Sequence, residues 1–378
     1  MSASHLDFYG QFQISPVRQD ISDLERHFQR RQALYRHLGI LPEHVAGRRV
    51  CEVGPGSGYN SIYTASLRPV YYELVEGNPT GIAQIRELFA GYPQWTTDIE
   101  ITPARIEDYR ATAPFDLVFC EGVLTGVTNP EEILNALALA VKPGGVLVLS
   151  CVDHLSQFPE TIRRVFADLV TDAGQTLERK VDIILPLVSP HLQTLTGMSR
   201  RHDDWVIDNL IHPGSIIPLI NFPEVIATLA HEFQFLASSP HFVQDWRWYK
   251  DIVGERYDFS HNAIEQYWAQ AHNLMDYRVS MPPRDPAANM RLYDLCTEAR
   301  LRVERFEQRR EPSLLVEFGE LLEAIIADLS SVSVPTGAAL SEAAQLLRAG
   351  TPEKLAGAGM FATLFGRGMQ YLSLTREG

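Results

Sequence analysis

Val50-Cys51-Glu52-Val53-Gly54-Pro55-Gly56-Ser57-Gly58-Tyr59-Asn60 is a short apolar run that breaks into three glycines at alternate positions. The apolar residues read as a buried strand, and the glycines as a tight turn whose backbone a ligand can approach closely because no Cβ stands in the way. A glycine loop alone also fits a strand-to-helix turn without a ligand, so its surroundings matter. Asn60 to Leu67 reads as a short helix that Pro69 ends. Val70 to Glu76 is then a second strand, and it finishes on an acid 18 residues beyond Gly58. In doubly wound sheets an acid at the tip of the second strand accepts hydrogen bonds from ribose hydroxyls, so spacing and polarity fit a nucleoside.

A dinucleotide fingerprint, G-x-G-x-x-G, needs glycine where this chain has Tyr59. The loop instead resembles the first motif of the class I S-adenosylmethionine-dependent methyltransferases, hydrophobic-acid-x-G-x-G-x-G, in Cys51-Glu52-Val53-Gly54-Pro55-Gly56-Ser57-Gly58. Three further matches follow in order: Glu76-Gly77-Asn78 at the ribose motif, Phe115 to Glu121 at the fourth strand, and Lys142 to Leu149 at the turn and fifth strand. Ala104 to Asp108 occupies the adenine-side loop. The resemblance spans roughly residues 45 to 152. It implies S-adenosylmethionine as cofactor, with Glu52, Gly54, Gly56 and Gly58 around its methionine portion, Glu76 on ribose, and Ile106, Glu107 and Glu121 around the base. Tyr9, Asn60, Gly77, Asn78, Arg105 and Gly122 complete the expected cofactor contacts. One departure stands out: the adenine-side loop of the family usually carries an acid where this chain has Arg105 or Ile106, so Glu107 or Asp108 must supply any amine contact. A solvated loop charge is the competing reading of that pair.

At 378 residues, with 45% apolar and 21% charged content, the chain is expected to form two or three structural units. The N-terminus lacks a basic segment followed by an apolar core, and no run approaches the ~20 apolar residues that span a bilayer. A cytoplasmic protein without membrane contact is expected. Cys51, Cys120, Cys151 and Cys296 lack paired metal spacing, so neither disulfides nor bound metal are expected. A formal charge of -14 weighs against nucleic acid as a partner, since phosphate binding needs clustered Lys and Arg. The densest basic stretch, Arg300 to Arg310, is interleaved with Glu304 and Glu307 and reads as a solvated helix face.

Ser22-Asp23-Leu24-Glu25 reads as a capping box opening a helix with Leu24, Phe28, Leu34, Tyr35 and Leu38 at helical spacing. Ahead of it Tyr9 belongs to an aromatic segment expected to pack, or to cap the active site. After the fifth strand, Asp153 and His154 fall at the carboxyl edge of the sheet, where open α/β sheets bind ligands. His154 is the first choice for a general base or an acceptor-orienting group, with helix capping by Asp153 as the alternative. Residues 171 to 222, rich in proline, read as a lid or acceptor-binding insertion, with Arg200 to Trp205 and Ile211-His212-Pro213-Gly214 as its chemistry. Phe233 to Leu236 and Asp245 to Tyr249 read as the final antiparallel pair of strands, and the glycines from Gly357 to Gly368 as part of a flexible final helix.

The expected architecture is α/β: a doubly wound, Rossmann-like methyltransferase sheet with an insertion after strand 5 and an α-helical C-terminal region. The expected boundaries are a helical cap over 1–44, the methyltransferase domain over 45–250 and helices over 251–378. The expected function is methyl transfer from S-adenosylmethionine to a small-molecule metabolite, with His154, Asp153 and His212 as catalytic candidates and a homodimer through the C-terminal helices as a possible assembly. The alternatives are an NAD(P)-dependent Rossmann oxidoreductase and a non-catalytic S-adenosylmethionine-binding adaptor.

Overall fold

A computed structural model describes residues 5–15, 17–95, 99–212 and 219–378. The chain divides into two compact units. One comprises Met1–Val152, Ile217–Tyr267 and Met369–Gly378, the other Asp153–Ile216 and Trp268–Gly368.

The first unit is a seven-stranded sheet of β1 (Arg49–Val53), β2 (Tyr71–Glu76), β3 (Ile99–Pro103), β4 (Phe115–Cys120), β5 (Val141–Cys151), β6 (Phe233–Ser239) and β7 (Gln370–Arg376). Its order is β3-β2-β1-β4-β5-β7-β6. β1 to β5 run parallel, whereas β7 pairs antiparallel with both β5 and β6. The central strands are apolar throughout because both faces are covered: Val50, Cys51 and Val53 of β1, and Leu117, Val118 and Phe119 of β4, are all buried. Helices α1 (His5–Phe12), α2 (Leu24–His37), α3 (Ser61–Ser66), α4 (Pro79–Ala90), α5 (Pro130–Ala140) and α9 (Phe222–Leu229) belong to this unit. Tyr35 and Leu38 pack with Val50, Ile62, Tyr72, Leu117 and Phe119 in its core. α2 starts one residue later than the capping box implied, with the Asp23 carboxylate accepting from the Arg26 amide at 2.9 Å.

The second unit holds α6 (Phe158–Val170), α7 (Leu177–Leu192), α8 (His202–Val206), a π-helical turn over Ile207–Ile211, and the long α11 (Pro286–Arg309), α12 (Pro312–Ser330) and α13 (Val334–Arg348). α10 (Phe259–Gln270) crosses the boundary.

Three expectations are corrected. Asp245 to Tyr249 is not a strand: Arg247 folds back onto Asp245 through its amide and guanidinium, and Trp246 and Trp248 are 92% and 61% exposed, so no face is buried. The missing strand is β7, where Leu372 and Leu374 alternate into the core; the flexible final helix expected there is absent. Domain boundaries move accordingly, because 1–44, 251–267 and 369–378 fall in the sheet unit and 153–216, with most of the expected insertion, in the helical one. The insertion 171–222 is also more regular than expected. α7 runs through Pro186 and Pro190, its buried Ile184, Val188 and Leu192 outweighing the two lost amide donors. Pro213 and Gly214 of the expected acceptor pocket lie outside the described residues.

Candidate functional site

The glycine turn is built as the sequence implied. Gly54, Gly56 and Gly58 all have positive φ, from 61° to 78°, the region that side chains disfavour. A Cβ on Gly54 would lie 2.2 Å from Val123 Cγ2, and one on Gly81, in the first turn of α4, 2.7 Å from the Gly56 carbonyl oxygen. The turn therefore sits against the β4 end on one side and against α4 on the other.

Glu76 closes the next strand with its carboxylate turned to this loop. It accepts the Gly56 amide at 2.8 Å and the Asn78 amide at 2.7 Å. Burial raises its pKa, and the amides of Asn78, Gly56 and Gly77 oppose that rise. Asn78 caps α4 by accepting from the Thr80 amide at 3.0 Å, and its side-chain amide donates to the Ile14 carbonyl at 3.0 Å. The N-terminal segment thus crosses the glycine turn. Ser15 and Ser57 hydroxyls lie 3.2 Å apart, Gln19 donates to the Asn60 side chain at 3.4 Å, and Tyr9 is buried.

On the adenine-side loop Ile106 is buried, while Glu107 and Asp108 are exposed. Arg105 pairs at 2.8 Å with Asp7, and both side chains are about half exposed, so this ion pair contributes little.

Glu121, expected beside the base, has both carboxylate oxygens on Arg31 of α2, at 2.9 and 2.7 Å. Both side chains are nearly buried. Glu52 lies under the loop, hydrogen-bonded by the Tyr72 hydroxyl, and Tyr35 bridges to Thr64 at 2.6 Å. Burial first, and then the charge of Glu121, push Glu52 up to about 7. His27, one turn before Arg31, contacts the Tyr59 carbonyl at 2.9 Å through Nε2. Sequence reasoning missed Arg31, Tyr35 and Tyr72 as site residues. The signal for Arg31 was its position on the apolar stripe Leu24-Phe28-Tyr35-Leu38, where an arginine has no place unless a carboxylate waits for it.

Gly122 has φ 75°, and its amide donates to the Ser150 hydroxyl at 2.7 Å. A Cβ there would come within 3.3 Å of Met369 Cε.

The three catalytic candidates lie in the helical unit. Asp153 is buried and accepts the Ser156 amide at 2.7 Å within the turn ahead of α6; it does not cap that helix, whose N-cap is Gln157 without a side-chain bond. His154 stands edge-on to Tyr293 with centroids 5.7 Å apart. Burial, and then the charge of Arg300, push its pKa down to about 4, so the ring is neutral at physiological pH but a weak proton acceptor. That favours orienting a ligand over removing a proton. His212 is buried at the end of the π-helical turn; its amide donates to the Ile207 carbonyl at 2.7 Å, and its carbonyl accepts from Arg164 at 2.7 Å. Asp203 is paired with Arg201 at 2.7 Å.

Glu52 gives the sheet unit a pH signature. A carboxyl whose folded pKa is raised from its ordinary 4.5 to about 7 stabilises the fold below 4.5, and that contribution is lost as pH rises through 7. Glu52→Gln is therefore expected to gain on the wild type by on the order of 3 kcal/mol between pH 4.5 and 8. Urea unfolding at both pH values checks this; parallel pH profiles for the two proteins would exclude Glu52 as the source.

Residues 25–178 match a family model described as a methyltransferase domain. The ubiquinone biosynthesis O-methyltransferase of Burkholderia multivorans is 32% identical over 112 residues, covering 29% of this chain and 47% of that protein. The tRNA U34 carboxymethyltransferase of Methylococcus capsulatus is 34% identical over 106 residues, covering 28% of this chain and 32% of that one. The chain spans about half, or less, of the length of these curated relatives. A solved S-adenosylmethionine-dependent methyltransferase from Mesorhizobium loti is similar at 21% identity and TM-score 0.29, over 36% of this chain and 57% of that one.

Proposed function

We propose that the chain, whose residues 25–178 match a methyltransferase-domain model, transfers a methyl group from S-adenosylmethionine to a small-molecule metabolite. The observation that carries this reading is the juxtaposition of the Cβ-free turn with the Glu76 carboxylate, which accepts the Gly56 amide at 2.8 Å. Together they offer backbone amides to one part of a nucleoside and a carboxylate to its sugar hydroxyls. Buried Ile106 gives the base an apolar neighbour. Glu52, near the end of β1, is the acid assigned to the amino-acid tail, while Arg31 and Glu121 satisfy each other.

When bound, S-adenosylmethionine supplies an already activated methyl group on its sulfonium. The chain's own task is positioning and the exclusion of water, with the segment across the glycine turn as cover.

Calorimetry separates this reading from the oxidoreductase. S-adenosylhomocysteine is expected to bind and NADH to fail, and Glu76→Ala to weaken S-adenosylhomocysteine at least about ten-fold, the loss of a charge-assisted hydrogen bond. Binding of NADH alone would sink the proposal. Incubation with labelled methyl donor and fractionated metabolites then distinguishes an enzyme from an adaptor, which labels nothing.

A further inference from the structure

Residues 245–257 of the sheet unit belong to no strand and touch no part of the candidate site, yet they carry an aromatic surface. Trp246 is 92% exposed, and Trp248, Tyr249, Val253 and Tyr257 are each more than half exposed. Single exposed apolar side chains are ordinary. Five of them between positions 246 and 257 form a patch, and a patch of this kind marks a contact surface.

The segment is folded on itself. The Arg247 guanidinium holds the Asp245 carboxylate at 2.9 Å and donates to the Arg256 carbonyl at 2.7 Å, which ties its two ends together. Between them the Asp251 amide donates to the Trp248 carbonyl at 2.9 Å and the Ile252 amide to the Tyr249 carbonyl at 3.2 Å, within a short 3-10 turn. Lys250 Nζ lies 5.4 Å from the Trp248 ring centre and 6.0 Å from that of Tyr249, so one exposed ammonium joins the two rings. Rings already held this way lose little freedom when a partner covers them.

Charge narrows the choice of partner. Within the loop Asp245, Asp251 and Glu255 balance Arg247, Lys250 and Arg256. A second copy would bring together two chains of formal charge -14 across a surface with no net charge to offset their repulsion, and an anionic bilayer would meet the same repulsion. A surface of zwitterionic head groups raises no such barrier. Trp and Tyr suit it, because each buries a ring at the acyl boundary and keeps its N–H or O–H among polar groups. The long stems of Lys250 and Arg256 suit the same boundary. Trp246 stands clear of the protein, as a side chain must to enter a fluid layer. No helix among the described residues is long and apolar enough to cross a membrane, so the contact is a peripheral one.

We propose that the 245–257 loop docks the protein on a zwitterionic lipid surface, with Trp246, Trp248 and Tyr249 entering the head-group layer. This departs from the expectation of no membrane contact, which rested on the lack of a spanning segment, and it is independent of the methyl-transfer reading.

Flotation of the full chain with extruded phosphatidylcholine vesicles tests the docking. The wild type is expected to float, and Trp246→Ser combined with Trp248→Ser to lower its partition coefficient at least about ten-fold, the loss of two rings from the lipid. Leu139→Ser removes a single exposed side chain of α5 and is expected to float like the wild type. Raising salt from about 0.1 to about 0.5 M should change binding less than about two-fold, since no net charge is being neutralised. Replacing about a third of the lipid by phosphatidylglycerol should weaken it. Both indoles lie at the surface, so the double variant is expected to keep the wild-type melting curve and S-adenosylhomocysteine affinity; should it melt early, Trp246→Ser alone is read in its place. No flotation, flotation that the folded variant retains, or flotation confined to anionic vesicles and reversed by salt overturns the proposal. So does a dimer in sedimentation velocity that the variant abolishes, which would assign the loop to a second copy.

Discussion

Gly54→Ala is expected to reduce S-adenosylhomocysteine affinity about a hundred-fold, through two separable costs. The residue has φ 72°, which costs an alanine roughly 1–2 kcal/mol. The new Cβ would also stand 2.2 Å from Val123 Cγ2, a contact that cannot exist without moving the turn or the β4 end. Overpacking of this kind costs about 1–3 kcal/mol, and here it falls on the backbone that must meet the ligand. Gly47→Ala is the control. It has a similar φ of 68°, but nothing lies within 4 Å of its Cβ, so it should lose about 1 kcal/mol of stability and no affinity. Calorimetric titration of the two variants tests the separation, and equal affinities in both would show that the loop tolerates a side chain.

The second large effect is on folding. Arg31→Ala removes the partner that both Glu121 oxygens share among the described residues, leaving a nearly buried carboxylate beside Glu52. Breaking such a pair on one side costs about 3–5 kcal/mol, which is a fall of roughly 10 °C in the melting temperature of a domain this size. Replacing both partners, Arg31→Met with Glu121→Leu, is expected to restore most of that loss, because neither charge then remains to be desolvated. Thermal denaturation of the single and double variants decides; a single variant as stable as the wild type would show that water reaches Glu121.

β1, β2, β4 and β5 were legible because the family-like motifs punctuate the chain around them: the glycine turn after β1, Glu76-Gly77-Asn78 closing β2, and Lys142 to Gly145 opening β5; β3 carries no such motif and was not read. The last two strands were not. Asp245 to Tyr249 has strand-like alternation of aromatics, yet Asp245 and Arg247 satisfy each other locally and the indoles stay in water. Tyr371 to Thr375 alternates equally well, but the glycines before it read as a loose helical end. Partner choice across long sequence separations is what separates the two, and no local pattern encodes it. Within the candidate site the glycines and Glu76 were readable from spacing. The clamp between Arg31 and Glu121 was not, since it joins residues 90 positions apart.

β7 lies between β5 and β6, yet it is encoded after the whole helical unit. During synthesis β5 and β6 must therefore leave the ribosome with the slot between them empty, each presenting a row of unpaired amides and carbonyls. The nascent chain has to protect those edges, or have them held by a chaperone, until residues 370–376 arrive. Translation that stops short of them leaves two sticky strand edges in place of a closed sheet.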